Sequence, residues 1–385
     1  MRPRYQILYW SVCLLLCYLV TEVLFSALYV RGLVTPPDSV MLFEDSGKTV
    51  HFDPVLGFRY TPLPSRAARL THGEVEFLTT FKGNNLGFNE RDPVLPDHPG
   101  PGIHRVAVLG DSFTAAEHLT FNWPDRLERL PAVAGRLRLP NFSVSGAGLA
   151  NWWSIVERLL AAGDYRFDGV VFAVFEGDLH RTFSMADHRQ TTRHMFGRSA
   201  GWDPADWPTS LAEARAQLQP LRGYIVGNER FEQALRDDWH PELPRPWRAY
   251  GWRLLHQRLL GWGQRVSTAL PSAHARPLFT AGQWRLIHGL RDYLQDRGLA
   301  VMVVRIPSRE GLLAGVNPAA DTKAFAAALD AQYLDGATTF ADLDETQIRQ
   351  HWLPHDGHWN QAGSDRFAAF LAPRLLSWLE SSGND

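Results

Sequence analysis

The stretch Arg105–Ala115, RVAVLGDSFTA, decides the fold of this 385-residue chain. Val106, Ala107, Val108 and Leu109 form a short apolar run with two β-branched residues, the pattern of a central parallel strand buried on both faces. Gly110 ends the run. Asp111 and Ser112 follow, and a polar segment leads to Trp123, Leu127 and Leu130 at helical spacing. A serine at a strand-to-helix turn places its hydroxyl at the carboxyl edge of a sheet, where α/β folds keep their chemistry. Its backbone amide faces the same space and can help hold an oxyanion.

A nucleophilic serine needs a base. His355-Asp356-Gly357-His358-Trp359-Asn360, near the other end of the chain, offers one. Asp356 and His358 have the chemistry to orient and carry out proton transfer for Ser112. The chain order Ser…Asp…His is a workable triad order. Each piece alone has a plainer reading: Gly-Asp-Ser is a common turn, and His-Asp-Gly-His is a polar loop or a metal-site fragment. One after a strand at the start of a domain and the other near its end favour catalysis together.

Gly110-Asp111-Ser112-Phe113-Thr114 resembles the first block of the SGNH (GDSL-like) hydrolases, and Asp356–Gly363 resembles their last, in the form D-x-H-x-N-x-x-G. The resemblance runs from about Gly87 to the C-terminus, apart from a long middle insertion. It implies an α/β three-layer fold, a parallel sheet with helices on both faces, and a serine acyl-enzyme. Ser112 is then the nucleophile, His358 the base and Asp356 the acid, although the acid of this family usually stands three residues before the base, where this chain has His355. Asp111 fixes the nucleophile turn or caps the next helix. The resemblance also assigns an oxyanion donor to Gly146 in Ser145-Gly146-Ala147-Gly148; a turn that needs glycine for its backbone angle is the other reading. After the next strand the family usually shows G-N-D. Here the chain reads Phe175-Glu176-Gly177-Asp178-Leu179, with the asparagine missing. Asn151, the Gly177 amide or His180 are candidates to replace that donor. Loss of one such donor costs about 2.7–4 kcal/mol of transition-state stabilisation.

Around these blocks the strand and helix pattern alternates as a parallel α/β fold requires. Asn141–Val144, Gly169–Phe175, Leu299–Ile306 and Thr338–Leu343 read as strands. Leu149–Ala162, Ala281–Arg297, Asp321–Leu334 and Gly363–Leu379 read as helices, and Pro307-Ser308 as a loop at the sheet edge. Residues 104–385 thus form the hydrolase-like domain. Within it, 180–280 is an insertion containing Trp202, Trp207, Trp239, Trp247, Trp252 and Trp262, with helical stretches at Leu211–Leu218 and Tyr250–Leu270, expected to cap the site. Its tryptophans suit sugar stacking or acyl-chain contact, or simply helix packing. His180, His188 and His194 lack the spacing of metal ligands, and neither metal nor cofactor is expected.

Upstream, 32–103 is a β-rich connecting region. Val50–Phe52, Phe58–Tyr60 and Glu74–Phe81 read as strands, with turns at Asp53-Pro54 and Gly83-Asn84. Asn84-Asn85-Leu86-Gly87-Phe88-Asn89 is similar to the N-S-x-G-F-R stretch of membrane-anchored relatives, departing at Asn85 and Asn89, and is expected to pack beside the catalytic domain. Pro96–Gly102 reads as a hinge.

Residues 1–31 form the anchor. Ile7–Val30 is long enough to span a bilayer, which takes about 20 apolar residues. Arg2 and Arg4 precede it and keep that end in the cytoplasm. Ser26-Ala27-Leu28 is a weak cleavage site, which favours an uncleaved single-pass helix in the inner membrane and a catalytic domain in the periplasm or outside the cell. Glu22 lies in the outer half of the span, at the interface or against a membrane partner. Both cysteines, Cys13 and Cys17, sit in this segment, so the exported part has no disulfide. With 39 basic and 41 acidic residues, a net charge of −2 and no basic stripe, the chain carries no footprint for nucleic acid.

The expected function is a membrane-anchored serine esterase acting on an O-acyl, chiefly acetyl, ester of an envelope glycan or lipid. Two other classes stay open. One is an O-acetyltransferase for an extracellular polysaccharide, with a membrane-bound O-acyltransferase as partner. The other is a catalytically weakened binding module that keeps the fold.

Overall fold

The computed structural model describes residues 3–30, 39–44, 50–53, 57–60, 64–71, 74–161, 165–181, 224–226, 232, 235, 277–316 and 318–382. Two compact units divide the chain: Met1–Val40, Arg69–Val75 and Glu232–Arg276 form one, and Met41–Ala68, Glu76–Phe231 and Pro277–Asp385 the other. The described part of the first is chiefly helix α1 (Pro3–Val30). The central sheet, its helices and the candidate site all lie in the second.

The central sheet has five parallel strands: β6 (His104–Leu109), β7 (Leu137–Arg138), β8 (Gly169–Val174), β10 (Ala300–Arg305) and β11 (Gln332–Asp335). Their order is β11-β10-β8-β6-β7. The chain steps from β6 to one side and then returns to pair β8 on the other. The carboxyl end of β6 is therefore a topological switch point, the place where open parallel sheets form their crevice.

Side-chain alternation explains why the strands read as unbroken apolar runs. Ala107, Leu109, Val170, Phe172, Val174, Val301 and Val303 fill one core. Val106, Val108, Val171, Ala173, Met302 and Val304 fill the other. The first core takes α4 (Leu149–Ile155, continued by a π-helical turn Val156–Leu160), α5 (Ala281–Asp296) and α7 (Ala320–Ala328) through Trp152, Ile155, Ile287, Leu290 and Phe325. The second takes α3 (Trp123–Glu128) and α9 (Gln361–Ser382) through Trp123, Leu127, Phe367, Leu371 and Leu375. Burying a side chain of this size contributes about 1.5–3 kcal/mol. The expected three-layer α/β architecture is present.

Several expected elements differ. Asn141–Val144 is not a strand. Val108 donates its amide to Pro140 O and accepts from Phe142 N, one rung of pairing. The Asn141 side chain then accepts from Ser143 N at 3.0 Å and curls the chain away. The expected helix to Leu334 stops at Ala328, because Asp330 takes a left-handed conformation (φ 54°), and Gln332–Asp335 becomes β11. The expected strand Thr338–Leu343 is a 3₁₀ turn, Gly336–Phe340. There Asp335 accepts from Ala337 N at 2.9 Å and Thr338 donates to Asp335 O at 2.6 Å. Helices α6 (Arg309–Ala314) and α8 (Glu345–Gln350) occupy stretches that carried no expectation.

The connecting region contains β1 (Ser39–Glu44), β2 (Val50–Asp53), β3 (Gly57–Tyr60), β4 (Ser65–Thr71) and β5 (Glu74–Phe81). β2 and β3 pair antiparallel around Asp53. A second sheet has the order β5-β4-β1-β9, where β9 is Tyr224–Val226. Leu211–Leu218, Tyr250–Leu270, His188, His194 and the six tryptophans of the insertion lie outside the described residues. Asn84–Glu90 packs where expected: Asn89 donates to Ala115 O at 2.6 Å, Asn122 donates to Asn89 O at 2.9 Å, and Phe88 is fully buried against Phe142.

Candidate active site

Gly110 must be glycine. A Cβ there would lie 2.5 Å from Thr114 Oγ1 and 2.8 Å from Thr114 Cβ, inside the next helical turn. The strand can thus turn at once into α2 (Ser112–Ala115), whose N-cap is Asp111. Asp111 Oδ1 accepts from Phe113 N at 2.9 Å, and Ser112 Oγ lies 3.4 Å from Asp111 Oδ2. α2 is one turn long because Ala116 is left-handed (φ 46°), a conformation a non-glycine residue holds only when its surroundings dictate it.

Ser112 and His358, 246 positions apart, meet in space: Ser112 Oγ is 2.6 Å from His358 Nε2. His358 Nδ1 contacts Asp356 Oδ1 closely, and the same oxygen accepts from His358 N at 2.8 Å. Asp356 is buried and His358 half-buried. The carboxylate takes one ring nitrogen and leaves the other facing the serine, the arrangement that makes an imidazole a base toward a hydroxyl. His355 is exposed.

Several contacts fix the loop that aims the histidine. Leu353 N donates to His358 O at 2.9 Å. Arg309 Nη1 donates to Leu353 O at 2.8 Å. Trp359 is fully buried against Phe113 and Phe367. Asn360 caps α9, accepting from Ala362 N and Gly363 N at 3.0 and 3.2 Å. Gln361 exchanges hydrogen bonds with the Phe121 backbone at 3.0 and 3.1 Å. Gly363 is needed because a Cβ there would lie 2.4 Å from His351 O, so each named position of the D-x-H-x-N-x-x-G pattern has a local role.

The sequence reading missed Glu76. From β5, its Oε1 accepts from His355 N at 2.7 Å and from Asp356 N at 2.9 Å. No local pattern joins residues 279 and 280 positions apart. Phe77, next in β5, sets its ring 5.8 Å from that of His118, which in turn lies 5.1 Å from the His358 ring.

On the oxyanion side, Gly146 takes φ 77° and Gly177 φ 85°, left-handed conformations that favour glycine. Gly148 is pressed on Asp178, where a Cβ would lie 2.4 Å from Asp178 O. Asn151 is buried and its Oδ1 accepts from Gly148 N at 3.0 Å, so its oxygen serves as a clamp on the glycine loop. His180 pairs with Gln283 at 3.1 Å and Asp321 at 3.5 Å, on the α5 and α7 side.

Where the asparagine is missing, Asp178 and Arg181 form a charged knot. Arg181 Nη1 lies 2.7 Å from Asp178 Oδ1, 2.7 Å from Ala147 O and 3.6 Å from Asp111 Oδ2. Asp178 Oδ2 accepts from Phe175 N at 2.8 Å. Burial, and then the nearby Asp111 charge, push the Asp178 carboxyl well above its ordinary range. One guanidinium thus ties the nucleophile turn, the glycine loop and the end of β8 together. The i,i+3 spacing of Asp178 and Arg181 was its only trace in the sequence.

Glu117, just past the left-handed Ala116, accepts the Ser145 hydroxyl through both oxygens, at 2.6 and 2.8 Å. Burial pushes its carboxyl up. Among the described residues, no group of three or more His, Cys, Asp and Glu side chains is arranged to hold a metal ion.

No protein-family model and no curated protein matches the chain. Solved structures do. A lipase/acylhydrolase from Enterococcus faecalis is 11% identical over 71% of this chain and 96% of its own, with a TM-score of 0.34. The psychrotrophic esterase EstA from a Pseudoalteromonas species is 10% identical over 73% and 100%, with a TM-score of 0.34. AlinE4, an SGNH-hydrolase family esterase, is 12% identical over 72% and 97%, with a TM-score of 0.31. The chain is thus similar in fold to solved esterases and lipases, one of them of the SGNH-hydrolase family.

Proposed function

We propose that the protein is a serine ester hydrolase whose nucleophile is Ser112. The observation that carries this reading is the pairing of Ser112 Oγ with His358 Nε2 at 2.6 Å, with Asp356 on the far ring nitrogen. In the first half-reaction Ser112 Oγ bonds to the ester carbonyl carbon and its proton passes to His358 Nε2. The carbon–alkoxy bond then breaks, and the alcohol leaves with that proton. In the second half-reaction water adds to the acyl carbon, its proton goes to His358, and the acid departs as the proton returns to Ser112 Oγ. Asp356 orients the ring and offsets the imidazolium charge. The Ser112 amide and Gly146 are the proposed oxyanion donors, and the Arg181 knot holds their loop against the nucleophile turn.

The finer reading is an O-acyl, chiefly acetyl, ester of an envelope glycan or lipid, met at a membrane surface. In its support, Tyr5–Phe25 in α1 is apolar enough to cross a membrane by length and composition. Its 21 residues extend about 32 Å, against a hydrocarbon core of about 30 Å. In this reading α1 anchors the chain in the inner membrane with the catalytic unit outside the cytoplasm.

Hydrolysis of p-nitrophenyl acetate by the full chain, lost in Ser112→Ala, tests the activity. Acetyl transfer to an added oligosaccharide instead of water would identify a transferase, and no turnover of either kind would leave a binding module.

A further inference from the structure

Glu117 is an ionisable side chain that the acyl-enzyme chemistry leaves unused, yet the fold goes to some length to put it beside the triad. Ala116 adopts φ 46° to end α2 after one turn, which carries Glu117 back across the site instead of along a helix. Among the described residues the carboxylate forms no ion pair with a Lys or Arg side chain. It takes both of its short hydrogen bonds from one hydroxyl, that of Ser145, which immediately precedes Gly146. Its neighbour His118 sets its ring 5.1 Å from that of His358, and the imidazolium charge there favours the ionised form of Glu117.

We propose that Glu117 is a positioning residue of this site: it holds the Ser145–Gly146 turn in place for the oxyanion and stands as a second carboxylate beside His358. The proposal rests on the esterase reading above and deepens it. Ser145 ties Glu117 to the glycine loop through its hydroxyl and through a backbone hydrogen bond, so Glu117→Ala frees the turn and Ser145→Ala loosens it. A misplacement of about 1 Å at a reacting centre costs about 10²-fold in rate. The Coulomb effect is reciprocal. If an imidazolium favours the Glu117 carboxylate, the carboxylate favours the imidazolium, and its removal moves the His358 titration to lower pH. Other titratable groups of the site remain in every variant: His118 and Asp356 against the His358 ring, Asp111 beside Ser112, and Arg181 between Asp111 and Asp178.

The test uses the full chain in detergent micelles, with ¹³C-labelled histidine, in three variants. Glu117→Ala removes both the hydroxyl acceptor and the charge. Glu117→Gln keeps an acceptor oxygen and removes the charge. Ser145→Ala keeps the charge and removes the hydroxyl. For p-nitrophenyl acetate, kcat is expected to fall about 100-fold in Glu117→Ala and about tenfold in the other two, with KM within about twofold. The His358 titration, read by nuclear magnetic resonance without any substrate, should move down by about half a unit or more in both Glu117 variants and stay in place in Ser145→Ala. Wild-type kcat in Glu117→Gln and Ser145→Ala, or an unshifted His358 titration in Glu117→Gln, overturns the proposal. If Glu117→Ala fails to fold, the other two variants decide. A wild-type chain that turns over no ester refutes the esterase reading instead, while the titration arm still decides the coupling.

Discussion

At the scale of single residues, His358, Asp356 and His355 have separable roles. In the proposed mechanism His358 holds the proton in transit and Asp356 fixes its ring, while the His355 backbone amide donates to Glu76. On an aryl acetate, His358→Ala should therefore cost roughly 10⁶-fold in kcat and Asp356→Asn roughly 10⁴-fold. His355→Ala should stay within about threefold, because the backbone bond to Glu76 survives the substitution. Steady-state kinetics with circular dichroism as a folding control measures all three, and a severe His355 loss beside a mild His358 loss contradicts the assignment. Glu90 gives a prediction of another kind. It is buried, accepts from Asn141 N at 3.0 Å, and its carboxyl is raised well above 4.5 by burial and by the Asp125 charge. A carboxyl raised in the folded state binds a proton there that the unfolded chain has already released. Its contribution to stability is thus complete below the ordinary carboxyl value and declines as pH rises toward the raised value. Glu90→Gln should flatten the fall in melting temperature as pH rises above the ordinary carboxyl range, in a thermal scan on the full chain. These residues were not equally legible in the sequence. Ser112, Asp356 and His358 stood in short local patterns. Glu76, Glu117 and Arg181 act through partners 279, 28 and 34 positions away, which no local pattern records.

At the scale of elements, the strands that sit between two helical layers were readable because burial on both faces makes them continuous apolar runs, as in Val106–Leu109 and Gly169–Val174. The edge strand β11 was not. Gln332–Asp335 has four residues, too few to show a period, and what makes it a strand is its register against β10. There the buried Arg305 pairs with Asp335 at 2.6 Å. The 3₁₀ turn after it and the curl at Asn141 were misread for a shared reason: short polar side chains satisfied the backbone locally in place of a ladder. β5 yields the prediction at this scale. It reads as a connector, but Glu76 makes it a support for the acid loop. Glu76→Ala should lower kcat about tenfold to 100-fold with KM within about twofold, and Glu76→Gln, which keeps the acceptor oxygen, should recover most of it. Equal losses in the two variants would mean that charge, not the two amide bonds, is what the loop uses.

At the scale of the whole molecule, a sheet with its crevice at the end of β6, a serine at that end and a histidine loop before the last helix make up the proposed hydrolytic centre, on a chain with an apolar N-terminal helix. The anchor reading predicts that a C-terminal alkaline phosphatase fusion is active in a bacterial host. An inactive fusion beside an active cytoplasmic reporter would reverse the orientation. The central claim is that Ser112 is a nucleophile made reactive by His358, and it is tested most directly by covalent capture. The full chain is treated with an alkyl fluorophosphonate, digested and read by mass spectrometry. The adduct should sit on Ser112, form with an acid limb set by His358, and be absent from Ser112→Ala and slowed by orders of magnitude in His358→Ala. An unmodified Ser112 in the folded wild-type chain, or labelling of Ser112→Ala at the wild-type rate, would contradict it.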